Sequence, residues 1–281
     1  MKLQYQSIKR KIFNKKRFKK LGWIALIVTV CFLNVACDSI TNNSEEKILL
    51  TVGIDPTFPP FEMREENNRI VGFDLDILRA IAEQEEIEIT IDDRLAFNQL
   101  INALEQGEID AIMSGMTITS KRAEKVEFSR PYFQTGLAIT VRDEERKIQS
   151  TNDLKNKTIA VQIGTKGARK AENISGAKIS QFSSIALALH ELKNGNIDAV
   201  IHDFPAILYA IKIGNLDGLR IIEKLLTTEY YGIALPKDSE HIDRINDALE
   251  ALIADRTYDD LYSQWFNSEP RPLPEIAPTL E

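Results

Sequence analysis

Cysteine is nearly missing from this 281-residue chain: Cys31 and Cys37 are the only two, and none follows Asp38. The remainder therefore holds no internal disulfide and must be kept folded by its core. Histidine is as scarce, with His190, His202 and His241 far apart, so no metal site and no cofactor are expected. Long apolar runs are lacking too. The longest, Leu21–Leu33, is 13 residues, short of the roughly 20 a membrane span needs. Acid is absent from the first 37 residues, where nine lysines and arginines precede that run. A basic segment, a short apolar stretch and the small residues around Ala36 together read as a secretory signal. Removing those nine leaves 26 basic against 42 acidic residues, a net charge of −16. Nucleic acid and anionic membrane surfaces are thereby excluded as partners of the remainder.

Val35-Ala36-Cys37 resembles the bacterial lipoprotein processing box, in which the cysteine becomes the lipid-modified first residue. Asn34 stands where an aliphatic residue is usual, with Leu33 one position earlier. The expected organisation is a signal peptide over 1–36, then a lipid anchor on Cys37 and a polar tether over 37–46. The expected location is the outer face of the bacterial cytoplasmic membrane, or the periplasm.

What the chain does contain is a strand–loop–helix grammar. Ile48–Ile54 is apolar and β-branched, a buried strand. It runs into Asp55-Pro56-Thr57-Phe58-Pro59-Pro60-Phe61, where three prolines predict a stiff loop without regular structure. Phe61 is assigned to the core, and Phe58 beside Asp55 is placed at a pocket. Asp74 is expected to cap a helix with Leu75, Leu78 and Ala82 at helical spacing. Strands are predicted at Ile87–Ile91, Ile109–Met113, Leu137–Val141 and Thr158–Val161, and helices from about Ile242 to Ala254 and around Tyr258–Phe266. Within Leu104–Tyr132, a helix stops at Gly107, a strand follows, and Ser114-Gly115-Met116-Thr117 is small and polar where that strand emerges. Ser120 is expected to cap the next helix, whose first turn carries Arg122. That combination could grip a carboxylate, through backbone N–H groups, a hydroxyl and a forked guanidinium. After Val161, the loop Gln162-Ile163-Gly164-Thr165-Lys166-Gly167 could bind an anion through its backbone, and it lacks the P-loop ending.

The chain also repeats itself. Ala103–Met113 reads ALEQGEIDAIM and Glu191–Ile201 reads ELKNGNIDAVI. Each follows its own strand–loop unit, which predicts two α/β lobes built alike. Ligands of open α/β sheets bind at the strands' C-terminal ends. Those ends are Asp55 and Ser114–Thr117 in one lobe, and Gln162–Thr165 and His202-Asp203 in the other.

Gly72-Phe73-Asp74-Leu75-Asp76, Gly115-Met116-Thr117-Ile118-Thr119 with Arg122, Phe128-Ser129-Arg130-Pro131-Tyr132, and the closing Tyr258…Trp265-Phe266 resemble one family. It is solute-binding protein family 3, the substrate-binding proteins of polar amino-acid ABC transporters. The likeness covers essentially all of 48–267. It implies a periplasmic binding protein type II-like α/β fold, with two lobes joined by a two-strand hinge. Lobe one would be 47–136 plus 232–269, lobe two 137–231, and 270–281 a tail. The resemblance further implies that Arg122 forks onto a ligand carboxylate, helped by Thr117 and by the Thr165 and Lys166 backbone. Asp203 and the Gly115 carbonyl would take the ammonium, and Phe58 and Phe97 would sandwich the aliphatic stem. Side-chain choice would fall to Asp55, Gln162 and His202. His202-Asp203 with Asp55 is similar to the glutamine-specific members, although those usually carry lysine where Gln162 stands. Glutamine is thus favoured over arginine, lysine or histidine. A cyclohexadienyl dehydratase-like enzyme on the same fold is the less favoured alternative, because Asp203 suits an ammonium better than prephenate. The expected partners are a free amino acid, a membrane permease and, through Cys37, the membrane; a monomeric binder rather than an enzyme is expected.

Overall fold

The computed structural model describes residues 48–214 and 216–278; the signal, Cys37 and the tether lie outside the described residues. Strand β1 (Leu49–Gly53) buries Leu50 and Val52 and leads into Asp55. The proline-rich stretch is not free of regular structure, as its prolines led us to expect. Thr57–Phe58 forms a short strand, β2, paired antiparallel with β3 (Glu62–Arg64), which pairs with β4 (Ile70–Val71). Pro56 and Pro59 flank Thr57 and Phe58, so no proline falls inside the two-residue strand. Phe61 is fully buried, as assigned.

Helix α1 (Phe73–Glu85) is capped by the Gly72 backbone and not by Asp74, whose side chain is buried inside the first turn. Then come β5 (Glu88–Asp92), α2 (Leu100–Glu105), β6 (Ala111–Ile112), the one-turn α3 (Ser120–Ala123) and β7 (Glu127–Phe128). Thr119 rather than Ser120 caps α3, its hydroxyl accepting the Arg122 N–H. Either residue offers a hydroxyl; Thr119 wins because it keeps the extended backbone that a cap requires.

β8 (Phe133–Thr135) leads to β9 (Leu137–Arg142), β10 (Thr158–Gln162), α4 (Lys166–Glu172), β11 (Lys178–Phe182), α5 (Ile185–Lys193) and β12 (Ala199–Asp203). After them come α6 (Phe204–Lys212), β13 (Leu219–Lys224), β14 (Glu229–Tyr231) and β15 (Ala234–Leu235), then α7 (Ile242–Ala254) and α8 (Thr257–Phe266). One sheet runs β5-β1-β6-β15-β7 and a second runs β11-β10-β12-β9-β13. In both, three parallel strands are followed by antiparallel ones. The fold is two α/β lobes, and β8 and β14 pair antiparallel as the two-strand connection.

The internal repeat has a structural cause. Asp110 Oδ2 accepts the Thr51 N–H at 2.7 Å, and Asp198 Oδ2 accepts the Thr158 N–H at 2.8 Å. Each Ile-Asp-Ala thus buries its isoleucine and uses its aspartate to hold a backbone N–H of its sheet's central parallel strand, in the middle of β1 and at the start of β10. Gly107 and Gly195, before the two motifs, both have positive φ (72° and 82°), a backbone glycine adopts without a steric penalty.

Candidate functional site

All eleven residues singled out as ligand-binding line one narrow cleft of about 20 Å³ between the two sheets, and Ser114 joins them. One lobe supplies Asp55 from the end of β1, Phe58 from β2, Phe97 from a 3-10 turn, Gly115 and Thr117 from beyond β6, and Arg122 from α3. The other supplies Gln162 from the end of β10, Thr165 and Lys166 from the start of α4, and His202 and Asp203 from the end of β12. The parallel strands thus deliver their loops to the cleft from their C-terminal ends, as open α/β sheets do.

Arg122 is buried to 5% exposure. Its Nη1 donates to the Thr117 carbonyl at 2.8 Å and its Nη2 to the Gly164 carbonyl at 3.1 Å. Its guanidinium carbon lies 5.2 Å from the centre of the Phe97 ring, within cation–π range. Burial lowers its pKa to about 10, and Arg169 adds to the shift; Asp203 and Glu229 pull the other way. A guanidinium in that position gains from any carboxylate brought to it.

Asp203 Oδ1 accepts the Tyr231 hydroxyl at 2.6 Å. Burial raises its pKa to about 6 against the pull of that bond and of Arg122. Behind it, Glu229 is buried and raised to about 7, by burial and then by Asp203. His202 is neutral: burial lowers its pKa to about 3. Its Nδ1 accepts the Asp203 N–H at 2.7 Å, so the proton sits on Nε2, which donates to Gln162 Oε1 at 2.9 Å. The 3.4 Å approach of Nδ1 to Asp203 Oδ2 is therefore not an ion pair. Gln162 Nε2 then donates to Asp55 Oδ2 at 3.3 Å. One polar string, His202 to Gln162 to Asp55, crosses the cleft with every donor assigned. At its end Asp55 takes further bonds from the Thr57 hydroxyl and the Phe97 N–H. Burial nonetheless holds its pKa above the ordinary value. Asp55, Asp203 and Glu229 are thus three buried carboxyl groups set against one buried guanidinium, with Lys166 at the cleft edge.

Gly115 sits at φ 50°, and a Cβ there would stand 2.4 Å from the Phe58 ring. Only glycine lets that ring lie against the loop, which explains the small residues where β6 emerges.

Sequence reasoning missed the groups behind the lining. Tyr231 and Glu229 carry no motif that marks them as part of a site. Glu62 was not singled out, because a lone glutamate after Pro-Pro-Phe carries no spacing signal. The Ser114 hydroxyl accepts the Asp55 N–H at 3.0 Å and donates to Glu62 Oε1 at 2.7 Å. Asp74 Oδ2 accepts the Gly115 N–H and the Tyr132 hydroxyl, both at 2.8 Å. Glu62 Oε2 and Asp74 Oδ1 are both buried without another hydrogen-bond partner, and a proton held between the two carboxyl groups would satisfy both. Burial and then the Asp74 charge raise the Glu62 pKa well above 4.5. Burial also raises Asp74, to about 6, against the pull of the Gly115 N–H and the Tyr132 hydroxyl, so Glu62 is the member of the pair that stays protonated to higher pH.

The pair makes stability depend on pH. Unfolded, Glu62 releases its proton near 4.5; folded, it keeps the proton to higher pH. Across that window the native state binds more protons, so stability falls as pH rises. Glu62→Gln keeps a donor for Asp74 without a titrating proton. Its loss of stability between about pH 5 and about pH 8 is expected to be shallower than that of the parent chain. Urea unfolding at the two pH values measures this, and parallel slopes would remove Glu62 as the proton holder.

A family model described as bacterial extracellular solute-binding proteins, family 3, matches residues 50–268. The arginine-binding extracellular protein ArtP of Bacillus subtilis (strain 168) is 35% identical over 254 residues, covering 88% of this chain and 98% of its own. ABC transporter arginine-binding protein 1 of Escherichia coli (strain K12) is 32% identical, covering 88% and 99%. Among solved structures, an ancestral arginine-binding protein is 39% identical with a TM-score of 0.74, covering 78% of this chain and 98% of that one. It is recorded both with arginine and with glutamine.

Proposed function

Because this chain belongs to the bacterial extracellular solute-binding proteins, family 3, we propose that its cleft takes an amino acid with a cationic side chain, arginine foremost. The chain is an exported amino-acid-binding component of an ABC importer, not an enzyme, and its partner is a membrane permease. The finer reading rests above all on Asp55. This buried carboxylate has three hydrogen-bond donors in contact and no cation among them. A ligand guanidinium or ammonium supplies the missing charge and brings the Asp55 pKa back down. The narrow cleft must widen, by the lobes moving apart, before its remaining groups can receive the zwitterion. Arg122 turns its fork from backbone carbonyls to the ligand carboxylate, and Asp203, with the Gly115 carbonyl, receives the ammonium. Phe58 and Phe97 flank the aliphatic stem. Burying both ends of a zwitterion is costly unless each is paired, which assigns a role to both Arg122 and Asp203. The relatives named for arginine support the same choice.

Glutamine is the second reading. Its side-chain amide would donate to Asp55, as the Gln162 amide does, and one similar structure is recorded with glutamine bound. A thermal-shift panel of the twenty amino acids separates the two. A ligand at a hundred times its Kd adds about 2.7 kcal/mol of stability. Arginine is expected to give the largest rise in melting temperature, with lysine and histidine next and glutamine behind them. A rise with glutamine and none with arginine would reverse the order of the readings. No rise with any amino acid would overturn both.

A further inference from the structure

A second cavity, larger than the cleft, lies among the described residues. It encloses about 530 Å³ on the other side of the connecting strands, inside the roughly 300–1,000 Å³ range of small-molecule sites. Phe133 of β8 and Tyr262, Trp265 and Phe266 of α8 form an aromatic shelf, and Leu208 of α6 faces them from the other lobe. Lys212 and Arg271, both exposed, stand among the lining residues, and no aspartate or glutamate does. In a chain with 42 acidic against 35 basic residues, an acid-free wall carrying two cations selects for negative charge. The cavity also shares a wall with the cleft. The Phe133 ring stacks on Tyr231 at 5.6 Å and 21°, and the Tyr231 hydroxyl donates to Asp203. Phe204 and Pro205, next in the chain after Asp203, line the cavity themselves.

We propose that this hinge-side cavity is a second ligand site, for a small organic anion with an aromatic body, of the aryl carboxylate class, coupled to the cleft through the wall of Phe133, Tyr231 and Asp203. The ring of such a ligand stacks on the shelf, where offset and edge contacts with several aromatic neighbours are available. Its carboxylate reaches out to Lys212 and Arg271. Because residues of both lobes and of the connecting strands line the cavity, its occupant binds the lobes' alternative arrangements unequally. Cleft affinity and cavity affinity then change each other by the same factor. The inference does not rest on which amino acid the cleft takes.

Isothermal titration of the full chain with naphthoate, and with uncharged naphthalenemethanol as its counterpart, tests the site. Saturable one-to-one binding of naphthoate is expected. Removing the probe's charge should weaken it about tenfold, and so should the double variant Lys212→Glu, Arg271→Glu, the worth of two exposed ion pairs. Binding must survive in Arg122→Ala, since a probe gripped by Arg122 would be sitting in the cleft. Loss of naphthoate binding in Arg122→Ala overturns the proposal. Equal affinity for the two probes, or no saturable binding, does the same. The two-probe comparison uses the unsubstituted protein, so it decides the matter even if the double variant proves unstable.

Discussion

Arg122→Ala is expected to abolish measurable capture of amino acid while leaving a folded protein. Replacing one partner of a buried, hydrogen-bonded charge pair costs about 2–5 kcal/mol, which lowers affinity by roughly thirtyfold to several thousandfold. In this chain the loss falls at the high end, because Arg122 is the one guanidinium buried in the cleft and a ligand carboxylate would be left unpaired. Folding should respond differently. Without ligand, burial already lowers the Arg122 pKa to about 10, so its charge is held at a cost. The alanine variant loses two bonds to backbone carbonyls but also sheds that cost. Arg122→Lys is expected to recover only part of the binding, since an ammonium lacks the planar fork. Calorimetry with the amino acid that gives the largest thermal shift is the measurement, and unchanged affinity in Arg122→Ala would remove this residue from the site.

Asp55→Asn is expected to discriminate between ligands rather than abolish binding. The substitution keeps the shape and an oxygen able to accept from Thr57 or Phe97, but it deletes the charge. A hydrogen bond to a charged group contributes about 1.5–3 kcal/mol, so arginine should bind roughly ten- to a hundredfold more weakly. Glutamine brings no charge to this end and should lose much less. Parallel titrations of arginine and glutamine on both proteins give the ratio. An equal loss for the two ligands would mean that Asp55 orders the loop and does not choose the side chain. That alternative is concrete, because the Asp55 N–H is tied through Ser114 to the protonated Glu62.

Much of the architecture was legible in the chain. The run around Leu49–Gly53 is apolar because β1 is paired on both sides, with β5 and β6, and the same holds for Thr158–Gln162 between β11 and β12. Helices α7 and α8 follow from apolar spacing that places Ala248, Leu249, Leu252 and Tyr258 against α1. The repeated Ile-Asp-Ala marked two like lobes because each copy makes the same kind of bond to the central parallel strand of its own sheet. Short elements were less visible. β2, β3 and β4 have two or three residues each, too few to show a period of two. Helix α6 begins immediately after Asp203 with a proline in its first turn, and no polar linker separates it from the strand.

By itself the sequence determined the order of the elements, their duplication, and which loops carry the arginine, the aspartates and the small residues between them. These are local properties, set by side-chain periodicity and backbone preference within a few residues. Only the tertiary structure decided what those groups do to one another. Gln162 meets Asp55 across 107 positions of chain, Glu229 lies beside Thr117 across 112, and Tyr231 reaches Asp203 across 28. The neutral state of His202, the raised pKa of Glu62 beside Asp74, and the acid-free cavity behind the cleft come from burial and from neighbours brought by other elements. A residue's charge state and its partners depend on what surrounds it in space, and no spacing along a chain records that.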